Sequence, residues 1–133
     1  MSAPIVEHKA EPDARDDSSH PIPSLAAIDV MTVKEAGGAD LFIVVASPLS
    51  GDAASQTRLL DKIQGYLGFI GSNEFRSEAG APTSGNTTIV VKLHPESAPA
   101  IHDLLARATE WVLANNASLS VQVLTLEELG GGT

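Results

Sequence analysis

The side chains able to do acid–base or metal chemistry in this chain gather at a few points. His94 is followed closely by Glu96, and His102 and Asp103 come a short way further on. Imidazoles and carboxylates that converge can move protons or hold a divalent cation. Asp29 is a second candidate. It interrupts an apolar run, and a carboxylate buried without a partner is costly. It reads either as a structural acid, paired with Lys92 or capping a loop amide, or as a catalytic acid. None of these groups forms a recognised motif. The chain has no Cys, which excludes a thiolate metal site and a disulfide scaffold. No phosphate loop, triad or metal-ligand spacing occurs, and two His with a carboxylate are common on a solvated turn and helix face. The expectation is a domain without metal, cofactor or catalytic residue that works through its surface.

The elements that must position these residues are well patterned. The chain has 133 residues, enough for one domain with a single buried core. Residues 1–24 mix Glu7, Glu11, Asp13, Asp16 and Asp17 with Pro, Ser and Ala and show no apolar period. They read as a disordered acidic arm. Residues 25–125 read as one α/β domain, and 126–133 as a flexible tail. Within the domain, residues 25–33 form a first strand. Residues 41–46, apolar on both faces, form a central second strand. Leu59, Leu60, Ile63, Tyr66, Leu67 and Ile70 make the stripe of a first helix, with Ser50 and Asp52 both suited to cap it. Residues 72–86 read as a long connection. Residues 87–93 form a third strand. A second helix, with Ser97 suited to cap it, runs to about Ala114 and buries Ile101, Leu104, Leu105, Ala108 and Val112. The last strand alternates Leu119, Val121 and Val123 with Ser118, Ser120 and Gln122. Thr125 and Glu128 are spaced to cap one further turn.

The order strand, strand, helix, strand, helix, strand predicts an α+β two-layer sandwich. It would be a four-stranded mixed sheet with two helices on one face. The first two strands should be antiparallel, and each strand after a helix parallel to the one before it. The faces toward the helices would be Ile28 and Val30; Ile89, Val91 and Leu93; and Leu119, Val121 and Val123.

Net charge is −9, but more than half of the excess lies on the two ends. Lys34, Arg58, Lys62, Arg76, Lys92 and Arg107 are scattered across the domain. A nucleic-acid partner needs such charges clustered, so none is expected. No apolar run is long enough to span a membrane. No basic-then-apolar leader opens the chain, and the expected location is the cytoplasm.

Three surfaces remain as candidates. The uncovered sheet face would carry Met31, Val33, Phe42, Val44 and Val90 beside Lys92, an apolar patch suited to a protein partner or a second copy. The arm, the tail or the long connection folding over that face is the alternative. Gly65 and Gly68 sit inside the first helix, where each costs about 1 kcal/mol relative to Ala. Close packing on the second helix, at Ala100, Ala106 and Ala108, or on a partner, would offset this. A pocket lined by Asp29, Arg76 and His94, between residues 72–86 and the strand ends, would serve a small-molecule or weakly catalytic function instead.

Ala27, Ile28, Asp29 and Val30, the apolar run from Leu41 to Val45, and Leu59, Lys62, Ile63, Gln64, Tyr66, Leu67 and Phe69 together resemble an uncharacterised bacterial family of small α/β domains. Its pattern is an Ile-Asp-Leu strand followed by a Leu-x-x-Lys-Leu-Asn-x-Tyr-Leu-x-Phe helix. Members tend to carry Arg-Pro-Trp where this chain has Ser47, Pro48 and Leu49. The resemblance implies a fold over residues 25–125, places Asp29 at the family's strand Asp, and implies no activity.

Overall fold

In the computed structural model, residues 5–8, 17, 20–25, 28–125 and 127–129 are described. Five strands, β1 (Ile5–His8), β2 (Ile28–Val33), β3 (Ala39–Val45), β4 (Thr88–Leu93) and β5 (Ser118–Val123), lie side by side in chain order. β1–β2 and β2–β3 are antiparallel, and β3–β4 and β4–β5 parallel. Three helices complete the described fold: α1 (Ala53–Ile70), α2 (Asn73–Ala79) and α3 (Pro99–Leu113). The class is α+β with a mixed sheet, as the pattern predicts. β1 and α2 are additions to the expected order.

β1 lies inside the stretch that composition reads as an arm. Four residues with one β-branched pair are too short to show a period. The core also reaches upstream of the expected boundary, because Ile22 and Leu25 are buried in it. β2 begins at Ile28, so Leu25 belongs to a packed lead-in and not to a strand. Glu11, Asp13, Asp16, Ala27 and the glycines from Gly130 onward lie outside the described residues.

α2 replaces most of the expected long connection. Ser72 caps it by accepting the Phe75 N–H at 3.2 Å. Phe75 is fully buried and meets Phe69 edge-on, ring centroids 5.7 Å apart. A helix of two turns with one apolar anchor leaves no periodic stripe to read. The following loop is organised by Asn86, whose Oδ1 accepts the Thr83 N–H and whose Nδ2 donates to the Ala81 carbonyl. That loop presses on the β2–β3 turn, where Gly38 has φ +85° and no room for a Cβ.

Asp52, not Ser50, caps α1. Its Oδ1 accepts the Ser55 N–H at 2.8 Å, and that contact holds its carboxyl below the usual range. α3 buries Ile101, Leu104, Leu105, Ala108 and Val112, the stripe its spacing predicts. Pro99 opens it after Ala98, while the Ser97 hydroxyl accepts the Leu49 N–H instead of capping.

Met31, Leu41, Ile43, Val45, Ile89, Val91 and Leu93 are all buried in one cluster with α1 and α3 residues. The register places Met31 beside Leu41 and Val30 beside Phe42. Ile28 is buried in the core as expected, but Val30, Met31 and Val33 lie on the opposite faces from those expected. Met31 lies in the core cluster and Val33 packs against it, whereas Val30 is on the other face. A one-residue slip in reading a strand exchanges its two sides.

Candidate interaction surface

Asp29 stands where β2 and β3 part. Their ladder runs from Val33–Ala39 to Val30–Phe42. Beyond it the Tyr66 hydroxyl enters between the strands, accepting the Asp29 N–H at 2.8 Å and donating to the Phe42 carbonyl at 2.6 Å. The Asp29 carboxylate accepts the Val44 N–H at 3.1 Å and meets Lys62 Nζ at 2.8 Å. Lys62 is only 1% exposed and also donates to the Ser24 carbonyl. Burial, aided by the Asp29 charge, raises the Tyr66 phenol well above its usual pKa. The phenol is thus a neutral hydrogen-bonding group. Asp29 has a structural role, but the amide it caps is that of Val44 within β3 and not a loop amide, and its cation is Lys62 in place of Lys92.

The same face of α1 holds the lead-in segment. Arg58 Nε donates to the Ile22 carbonyl, Lys62 to that of Ser24, and Gly65 lets the Leu25 carbonyl approach to 3.2 Å of where a Cβ would stand. Gly65 therefore serves close packing, but against residue 25 and not against α3. Gly68 has nothing within 4 Å of its missing Cβ.

His20, which sequence reading left inside the arm, joins Ser50, Asp52 and Ser55. Its Nε2 lies 3.3 Å from the Ser55 hydroxyl, which is 3.2 Å from that of Ser50. A Ser–His pair suggests a nucleophile. The geometry opposes it: His20 Nδ1 accepts the Ile22 N–H at 2.9 Å. The neutral ring then carries its proton on Nε2 and donates to Ser55, so it cannot take that hydroxyl's proton. Ser55 is also buried. A cavity of about 520 Å³ opens beside this cluster, lined by Asp17, His20, Leu25, Thr57, Arg58 and Asp61 among others.

The expected pocket residues do not meet. Arg76 lies on α2, which is tied to the hairpin turn at the start of β3 by the Gly38 N–H to Ala79 carbonyl bond. His94 follows the far end of β4, about 20 Å away by strand rise. Its Nδ1 accepts the Glu96 N–H. Asp29 is at the His94 end but two strands across, committed to Lys62 and Val44. Among the described residues no group of three His, Asp or Glu is placed to hold a metal ion. No helix is long and apolar enough to cross a membrane.

On the sheet face opposite Met31, Leu41 and Ile43, half-buried Val30 and Phe42 and exposed Val44 line a shallow depression of about 190 Å³ together with Lys92. Val44 is 36% exposed, whereas Val90 is buried at 5%. Lys92 Nζ lies 5.6 Å from the Phe42 ring centre and 2.7 Å from Glu128. Glu128 and Thr125 form the reciprocal cap that their spacing predicts: each side chain accepts the other's N–H at 3.1 Å. The Lys92 ammonium, and then the Thr125 amide, hold the Glu128 carboxyl below its usual range. The tail thus reaches this face at Lys92, and among the described residues Val44 is its exposed apolar side chain while Val90 is buried. No family model, no curated protein and no solved structure matches the chain.

Proposed function

We propose that the chain is a non-enzymatic protein-interaction module that works through the sheet face formed by Val30, Phe42, Val44 and Lys92. The reading takes the molecule as a two-layer sandwich with its helices on one side, acting in the cytoplasm. One contrast carries it. His20, Asp29 and His94 are engaged in internal hydrogen bonds, whereas the apolar side chains of Val30, Phe42 and Val44 line a depression on the face away from the helices, with Val44 exposed. Solvated sheet faces ordinarily alternate to polar residues, and an open apolar patch marks a contact surface. Membership of the uncharacterised family is part of this proposal. Asp29, Lys62 and Tyr66, which carry the polar part of the resemblance, converge in one cluster.

The test is affinity capture from cells that express the chain, with Phe42→Asp beside wild type and Arg107→Asp, on the helix side, as control. The reading expects partners held by wild type and Arg107→Asp to be lost by Phe42→Asp at unchanged thermal stability. Identical partners with all three proteins would refute it. The cavity beside α1 favours a second reading, since its volume falls within the range of about 300–1,000 Å³ usual for small-molecule pockets. A rise in melting temperature with a small ligand, cancelled by Thr57→Trp filling the cavity, would establish that function instead.

A further inference from the structure

Among the described residues four large apolar side chains are notably exposed, and three of them share one place. Val121 is 39% exposed, Val123 52% and Leu113 47%. Val121 and Val123 belong to β5, the last strand of the sheet, and nothing among the described residues pairs with its outer edge. Leu113 ends α3 one tight turn before β5 starts.

The backbone of that edge can be read from two bonds. The Ser118 N–H donates to the Thr87 carbonyl and the Leu124 N–H to the Leu93 carbonyl, both at 2.9 Å. Backbone groups alternate sides along a strand. Ser118, Ser120, Gln122 and Leu124 thus turn theirs toward β4. Leu119, Val121 and Val123 turn theirs outward, so the residues with exposed apolar side chains also hold the open donors and acceptors. The usual protections of an edge are charge, proline or a bulge. The strand Ser118–Val123 has no charge and no proline, and its register with β4 is unbroken. The opposite edge, β1, carries a register shift between Val6 and His8.

We infer that β5 pairs antiparallel with β5 of a second copy of this chain about a two-fold axis at Val121. An antiparallel pair exchanges both bonds only where residues with outward groups face each other. Val121 on the axis meets itself, and Leu119 meets the second copy's Val123. This register uses all three outward residues of each strand, for about six interchain bonds. It also sets apolar residue against apolar residue on the helix side and Ser120 against Gln122 on the other. Leu113, at the Leu119 end, comes beside the second copy's exposed Val123. A residue on a two-fold axis faces its own copy, so any charge near the axis would repel itself. In a chain of net charge −9 this strand has none. The product is one sheet of twice five strands, and the inference does not depend on the outer-face reading.

The chain has no Cys, so single cysteines report the register directly. Val121→Cys should cross-link to a dimer under mild oxidation, because the facing Cα atoms come within disulfide reach. Gln122→Cys, whose copy lies off the axis, should cross-link far less. In sedimentation equilibrium the wild type should reach twice 13.8 kDa. Val121→Lys should stay at the single mass with an unchanged circular dichroism spectrum, and Phe42→Asp should still dimerise. A wild type that stays monomeric at high concentration overturns the inference. So does a dimer lost in Phe42→Asp but kept in Val121→Lys, or equal cross-linking of the two cysteine variants.

Discussion

Tyr66 offers the sharpest test of how the strands and α1 are joined. It is the one Tyr in the chain, and Trp111 is the one Trp, so ionisation and unfolding can be followed separately. The hydroxyl bonds a backbone donor at 2.8 Å and a backbone acceptor at 2.6 Å. Tyr66→Phe strands both, and a buried unpaired polar group costs about 1–3 kcal/mol. Partial closure of β2 onto β3 would recover some of this, so the expected loss is about 2–4 kcal/mol, to be measured by urea denaturation. That is a large part of the total of about 5–15 kcal/mol typical of a domain. The pH dependence has a definite sign. The folded-state pKa is raised by burial, so above about pH 10 the unfolded chain loses a phenolic proton that the folded chain keeps. Stability should be intact below that pH and fall by about 1.4 kcal/mol per unit above it. Tyrosinate absorbance should therefore appear only together with the change in Trp111 fluorescence. In Tyr66→Phe this part of the alkaline slope should vanish. A phenol that ionises near pH 10 while Trp111 still reports the native fold would refute the reasoning.

Asp29→Asn and Lys62→Met break the same ion pair but should not cost the same. The Lys62 side chain is 1% exposed and that of Asp29 28%. Losing the carboxylate from a buried ammonium should cost about 3–5 kcal/mol, and losing the ammonium from a part-hydrated carboxylate clearly less; chemical denaturation showing the reverse order would count against the assigned burial. At Gly38 a Cβ would collide with the Asn86 carbonyl. Adding positive-φ strain, Gly38→Ala should lower stability by about 2–5 kcal/mol, and a melting temperature near wild type would contradict the clamp. Gly68→Ala enters open space and should raise stability by up to about 1 kcal/mol; a loss would reveal a neighbour against that side of α1.

The long periodic segments were legible in advance. α3 buries the five residues that its spacing selects, and the parallel and antiparallel pairings follow from connection length. Legibility failed where one polar atom outweighs a pattern. Asp29 was paired with Lys92 in the sequence reading, whereas its cation is Lys62, 33 residues away in sequence. Gly65 looked like a helix contact, yet it accommodates the Leu25 carbonyl. α2 rests on one buried Phe and one capping Ser, too few residues to leave a period. At the candidate surface Phe42, Val44 and Lys92 lie together, Val90 is buried, and Val30 stands where Met31 and Val33 were expected. His20 carried no readable signal, since its partners belong to a helix that starts much later in the chain.

The wedge made by Tyr66 and Lys62 bears on how α1 finds its seat. Grease alone is indifferent to a helix sliding a few ångströms over a pleated floor. Directional bonds are not, and here two of them emerge one helical turn apart and reach into the gap between neighbouring strands. They act as an index, fixing where α1 stops along its own axis. The oily residues around them can then vary in outline, provided that volume is kept, without the helix losing its place.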